Sequence, residues 1–153
     1  MLTTQPAMAA HADRMRETHS TTGHARLSRT LHALSCIVPC YNEAENLQRL
    51  LPLLQAQLAQ VAERWEIVLV DDGSRDGSLK VLEQLAAKDQ RLRVVSLRRN
   101  FGQTAAIAAG IDHSDGEVIV LMDADLQNDP ADIPMLLQKI EEGYDVVSGW
   151  RAK

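Results

Sequence analysis

Aromatic residues are scarce in this 153-residue chain, at 3% of positions. That scarcity argues against a base-stacking platform for single-stranded nucleic acid. A basic excess is missing as well: the formal net charge is −5, which excludes a broad phosphate-backbone surface, so no nucleic-acid partner is expected. Cysteine is limited to Cys36 and Cys40. If their apolar run is extended, four residues hold the two Cα atoms roughly 13 Å apart, beyond the reach of a disulfide. They read as small buried side chains, in keeping with a reducing compartment. No window approaches the roughly 18 consecutive apolar residues of a membrane span, and the N-terminus lacks an apolar core of signal-peptide type. A phosphate-cradling G-x-x-x-x-G-K-[ST] run, a nucleophile elbow and a Cys–His pair for covalent catalysis are also missing.

What is present is an ordinary α/β composition, 45% hydrophobic and 24% charged, in a length that fits one domain. Residues 1 to 33 stand apart. They carry His11, His19, His24 and His32 among Thr, Ser and Ala with no sustained apolar period, which reads as a mobile tail. The histidines have no metal-site spacing. A short amphipathic helix is admissible around Leu27 to Leu34.

From Leu34 apolar runs alternate with amphipathic stretches. Leu34 to Val38 reads as a strand ended by Pro39. Leu47, Leu50, Leu51, Leu54, Leu58 and Val61 then recur at helical spacing, with Asn42 as cap, Glu45 completing a capping box, and Pro52 expected to kink or weaken one turn. Strands are expected at Glu66 to Val70, Arg93 to Leu97, Glu117 to Met122 and Asp145 to Ser148. Helices are expected around Leu79 to Ala86, from Gln103 to Ile111 close against the sheet, and after the Asp129-Pro130 start. This alternation predicts a mostly parallel, Rossmann-like sheet with helices on both faces.

In such sheets ligands bind at the carboxyl ends of the strands, and the polar residues gather there. Asp123 and Asp125, one residue apart after the fourth strand, repel each other unless a cation lies between them; Mg2+ or Mn2+ suits such hard oxygen donors, with the Gln127 amide as a further ligand. Taken alone, D-x-D equally describes a solvated loop or a cap. Asp71 and Asp72 end the second strand. A carboxylate there can accept from ribose hydroxyls or a base N–H, although one of the two is expected only to close the turn. Tyr41 offers a ring to lie against a base. Glu43 offers either a charge at a helix N-terminus or a contact to a base edge. Arg98, Arg99 and Asn100 read as a solvated basic cluster or as contacts to phosphate or acceptor.

Together, Ile37-Val38-Pro39-Cys40-Tyr41-Asn42-Glu43, Val70 to Ser78, Arg99-Asn100-Phe101-Gly102, Asp123-Ala124-Asp125-Leu126-Gln127 and Ser148-Gly149-Trp150-Arg151 resemble the family 2 glycosyltransferases of GT-A fold. Within them the chain is similar to the polyprenyl-phosphate branch, which includes dolichol-phosphate mannosyltransferase and undecaprenyl-phosphate glycosyltransferases. The resemblance implies that residues 34–153 are the N-terminal, sugar-nucleotide-binding part of a GT-A domain. It implies a UDP- or GDP-linked sugar donor contacted by Pro39, Tyr41, Glu43, Val70, Asp72, Asp123, Ala124, Asp125 and Arg151. It further implies catalytic roles for Asp123 and Asp125, and a Mg2+ or Mn2+ ion held by Asp123, Asp125 and Gln127. The activity implied is inverting transfer of a hexose-type sugar to a polyprenyl phosphate at the cytoplasmic face of a membrane, with the acceptor-binding and membrane segments expected beyond Lys153. Many relatives have His or Lys where this chain has Gln103. Two other readings remain: a catalytically inactive nucleotide-sugar-binding fragment, and a receiver-like signalling domain, which would need a Lys at the last strand end.

Overall fold

The computed structural model describes residues 31–149. The expected tail therefore lies outside the described residues up to position 30, as does Arg151. Strand β1 (Leu31–Cys40) is followed by helix α1 (Ala44–Val61), β2 (Ala62–Asp71), α2 (Ser78–Ala86), β3 (Leu92–Ser96), α3 (Gln103–Asp112) and β4 (Val118–Leu121). A 3-10 turn (Pro130–Asp132) leads into α4 (Ile133–Glu141). Among the described residues the four strands form one parallel sheet in the order β3-β2-β1-β4.

The sheet's apolar runs are continuous because both faces are covered. Even-numbered β1 residues such as Cys36 and Val38 join the leucines of α1, with Leu82 of α2 and Ile133 and Leu137 of α4, in one core layer. Ile37, with Val68 and Val70 of β2, faces the other way and packs on Ala106 of α3. That second layer is thin because α3 is made of small residues. Any Cβ on Gly110 would collide with the Ile37 side chain, which is the close approach the Ala- and Gly-rich sequence predicts.

Several expectations need correction. β1 does not end before Pro39; it runs from Leu31 to Cys40, so the chain from Leu31 onward is strand rather than amphipathic helix. The Ile37 carbonyl accepts from Met122 N and the Cys40 carbonyl from Asp72 N. Odd residues of β1 thus turn their polar groups toward β4 and even ones toward β2. The N–H that Pro39 lacks would point to the β4 side, beyond Leu121 where that strand ends, so the proline removes no ladder bond. α1 passes through Pro52 without a break. Pro52 lies on the exposed face, where the carbonyl left unpaired can turn to water. Asn42 does not cap α1. It sits at φ 57°, one residue before the true cap position at Glu43. The fifth strand is not formed: Asp145 to Gly149 lack strand pairing and Val146 is 85% exposed.

Candidate functional site

The strand order places a topological switch between β1 and β4. From β1 the chain winds outward through β2 and β3, then crosses by α3 on the opposite face to β4. At such a point the connections leaving two neighbouring strands diverge and open a crevice. Here it is a cavity of about 290 Å³, lined from the β1 end by Pro39, Cys40, Tyr41 and Glu43, and from the β4 end by Asp123, Ala124 and Asp125. Asp72 reaches in from β2, and Gln103 and Ala106 from the start of α3.

Two interlocked loops hold the β1 side. Asn42 N donates to Ser74 Oγ at 2.9 Å, and Asn42 Oδ1 accepts from Arg75 N at 2.8 Å. Glu43 N donates to Ser78 Oγ at 2.9 Å and Ala44 N to Asp76 Oδ2 at 3.3 Å. Two of the free N–H groups at the start of α1 are therefore satisfied by Asp76, in the loop after β2, and by Ser78, at the start of α2, rather than by a local capping box. Asp76 Oδ1 in turn accepts from Ser78 Oγ and Ser78 N, and the Ser78 hydroxyl holds its carboxyl below the usual carboxylate range. Tyr41, 41% exposed, is left at the cavity mouth. The Glu43 carboxylate accepts from Asn46 Nδ2 at 2.6 Å.

The two aspartates after β2 divide their work. Asp71 Oδ1 accepts from Ser74 N at 3.3 Å, the turn-closing role expected of one of them. Asp72, almost wholly buried, accepts from Phe101 N at 2.7 Å with one oxygen and from Gly102 N at 2.9 Å with the other. Its carboxylate thus clamps the loop ahead of α3 while one side of it faces the cavity. Gly73 makes this possible. At φ 70° its Cα lies so close to the Arg99 backbone that a Cβ would overlap it. Arg99 itself lies over the Phe101 ring, 4.6 Å from its centroid.

After β4 the chain turns sharply, with Leu126 at φ 62°. A left-handed leucine is strained, and such residues concentrate where a surrounding structure over-determines the backbone. Asp123 Oδ1 accepts from Gln103 Nε2 at 2.8 Å, and Asp125 Oδ1 from Gln127 N at 3.0 Å. Each aspartate so has one oxygen engaged, and both face the cavity. Gln127 lies outside its lining. Val70, wholly buried, also lies outside it: its side chain is in the α3-facing core layer, and its carbonyl accepts from Cys40 Sγ at 3.4 Å.

Sequence reasoning did not anticipate Cys40 and Ala106 as lining residues, nor Asp76 and Ser78 as caps for a helix some thirty residues earlier. Ser and Asp are cap-forming types, but their target lies on another loop. Burial, with Asp71 next, pushes the Cys40 thiol up to about 12, so it lines the cavity as a neutral group. Cys36 and Cys40 are both free and buried, as their spacing requires.

The electrostatics decide what can enter. Glu43, Asp72, Asp123 and Asp125 share the cavity, and among the described residues its lining holds no Lys or Arg. An anionic ligand is repelled unless a cation accompanies it. Among the described residues no three His, Cys, Asp or Glu side chains gather to hold a metal unaided. The donor set of Asp123 and Asp125 instead fits a hard divalent ion that keeps coordination positions for phosphate oxygens and water.

A model described as glycosyl transferase family 2 matches residues 35–153. An undecaprenyl-phosphate 4-deoxy-4-formamido-L-arabinose transferase of Pseudomonas fluorescens (strain SBW25) is 48% identical over 119 residues, covering 77% of this chain and 35% of its own length. The Proteus mirabilis (strain HI4320) protein of the same name is 44% identical over 118 residues, covering 76% and 36%. The chain spans about a third of the length of these curated relatives. Among solved structures, a mannosyltransferase from Pyrobaculum calidifontis in complex with GDP-Man and Mn2+ superposes with TM-score 0.60 at 26% identity, covering 69% of this chain and 31% of that one. S. aureus TarS in complex with UDP-GlcNAc gives 0.59 at 26% identity, covering 72% and 31%. These likenesses agree with a Rossmann-like GT-A fold and leave the receiver-like reading without support.

Proposed function

This chain belongs to glycosyl transferase family 2, and from that membership we propose that it forms the donor side of an enzyme transferring a sugar from a nucleoside diphosphate to a polyprenyl phosphate with inversion. The observation that carries the reading is the acidic cavity at the β1/β4 switch point, where Asp123 and Asp125 face Tyr41, Glu43 and Asp72 across one space. Its volume is near the lower end of the roughly 300–1,000 Å³ usual for small-molecule sites, room for part of a nucleotide sugar.

In this reading Pro39, Tyr41, Glu43 and Asp72 receive the nucleoside, with Val70 supporting them from beneath. Asp123 and Asp125, with Gln127, would hold Mg2+ or Mn2+; Ala124 would border the diphosphate, a role the family resemblance also gives Arg151, which lies outside the described residues. The ion, when bound, supplies positive charge that stabilises the departing nucleoside diphosphate. The sugar C1–oxygen bond to the diphosphate breaks as an oxygen of the lipid phosphate bonds to C1 from the opposite face, which inverts the anomeric centre. A phosphate nucleophile is already anionic near neutral pH. It therefore needs a general base less than a sugar hydroxyl would. The relatives named for undecaprenyl phosphate support the acceptor. The sugar they are named for is an L-arabinose derivative, a pentose, so both that sugar and hexoses belong in the test. A polyprenyl acceptor also implies work at a membrane face; among the described residues no helix is long and apolar enough to cross a membrane.

The test is thermal unfolding of the 153-residue chain with UDP, GDP and their sugar conjugates, with Mn2+ or with EDTA. One nucleotide with Mn2+ should stabilise the chain by about 2.7 kcal/mol at a hundredfold excess over its Kd, and Asp123→Asn should remove the metal-dependent part. No shift with any nucleotide sinks the donor-site reading. A second reading is that these residues bind donor without turning it over. Stabilisation without sugar transfer to undecaprenyl phosphate would select it.

A further inference from the structure

We propose that Gln103 is a positioning residue that fixes the Asp123 carboxylate for metal–diphosphate binding; this rests on the donor-site reading above. Gln103 is the first residue of α3, and its Nε2 donates to Asp123 Oδ1 at 2.8 Å, joining the helix start to the exit of β4. Only the amide N–H can face a carboxylate oxygen favourably, since the amide oxygen would meet it lone pair to lone pair. The bond therefore commits one oxygen of Asp123 and leaves the other available to the cavity.

The lever that carries Gln103 is rigid. Asp72 holds Phe101 N and Gly102 N, and Gly102 at φ 96° accepts from Ala106 N at 3.1 Å. Ala106 is in turn wholly buried against Ile37 and Val70. Asp123, by contrast, follows the last residue tied to the sheet, Met122, whose N donates to the Ile37 carbonyl at 3.0 Å. Among the described residues its one side-chain hydrogen bond is the one it accepts from Gln103. The amide also orients the carboxylate without neutralising it. Groups of this kind, which touch a ligating carboxylate rather than the ion, set affinity by restricting the ligand's orientation.

The experiment compares the wild-type chain with Gln103→Leu, of similar volume and no donor. Free Mn2+ is followed by electron paramagnetic resonance in the presence of the stabilising nucleotide, and nucleotide affinity is measured separately in EDTA. Gln103 is exposed at a helix start, so far-UV circular dichroism should not change. Gln103→Leu should bind Mn2+ about tenfold more weakly, with metal-free nucleotide affinity unaltered. Equal Mn2+ affinity in both proteins overturns the proposal while leaving the donor site intact. A parallel loss of nucleotide affinity in EDTA also overturns it, because Gln103 would then touch the nucleotide itself. A wild-type chain that binds nucleotide but no Mn2+ refutes the metal clamp, and this inference with it.

Discussion

The glycine at 73 shows how a residue without a side chain governs a site made of side chains. Asp72 can reach the N–H groups of Phe101 and Gly102 only if the backbone just after it passes against Arg99, and Gly73 lets it pass. Gly73→Ala meets two obstacles at once, a backbone overlap that no rotamer relieves and a φ of 70° that L-residues rarely adopt. Urea denaturation should show a loss of at least about 1–3 kcal/mol. The same variant should loosen Gln103 through the Asp72 clamp and weaken Mn2+ binding in those molecules that stay folded. Leu126 illustrates the reverse case, a residue poorly suited to its left-handed conformation and held there beside Asp125. Nothing in the Asp-Leu-Gln sequence signals that strain, because leucine has no preference for such backbone. The Gly73 turn, in contrast, is readable from Asp-Gly-Ser alone.

Between elements, the decisive contact is the loop-to-loop junction that starts α1. Local sequence offered Asn42 and Glu45 as a self-contained capping box. The structure instead uses Asp76 from the loop after β2 and Ser78 at the start of α2, while Asn42 binds that same loop from the other side. β1 and β2 are parallel neighbours in register from Leu31↔Ala62 to Cys40↔Asp71, so their following loops emerge side by side and can share hydrogen bonds. Asp76→Ala should destabilise the chain by about 1 kcal/mol, as loss of a helix cap does, and broaden the signals of Tyr41 and Glu43 in a heteronuclear NMR spectrum. The pH dependence has a defined sign. The folded carboxyl of Asp76 lies below its ordinary value, so its stabilisation is fully present above the unfolded pKa of about 3.9 and is lost as pH falls through the lowered folded value. The gap in stability between wild type and Asp76→Ala should accordingly be constant from pH 7 to about 5 and close below about 4.

At the scale of the whole molecule, the sheet has a well-buried middle and an exposed margin. β1 and β2 are covered on both faces, whereas at the β4 edge Ile119 and Leu121 are 39% and 53% exposed. An apolar strand edge is a template for pairing with another chain. Dilute samples should scatter as monomer and concentrated ones should associate; Leu121→Lys should suppress that association in light scattering without changing nucleotide binding. The residues of the Asp145–Ser148 stretch have the apolar content of a fifth strand but do not pair. An apolar run states only that burial is favourable, and pairing also needs a partner edge in register. The order of strands and helices, the thin α3 layer and the placing of acidic residues at strand ends followed from the sequence, since each depends on local periodicity, residue size or chain direction. The acidic Asp123-Ala124-Asp125 segment was legible for the same reason. What the sequence left open was which strand ends are neighbours. Only the β3-β2-β1-β4 order sets β4 beside β1, brings Asp123 and Asp125 opposite Tyr41 and Glu43, and hands the caps of one helix to another's loop. The β1–β4 pairing joins residues 84 positions apart and the caps join residues 32 to 35 apart, and the site contacts form only after the hydrophobic layers have fixed the strands that carry them.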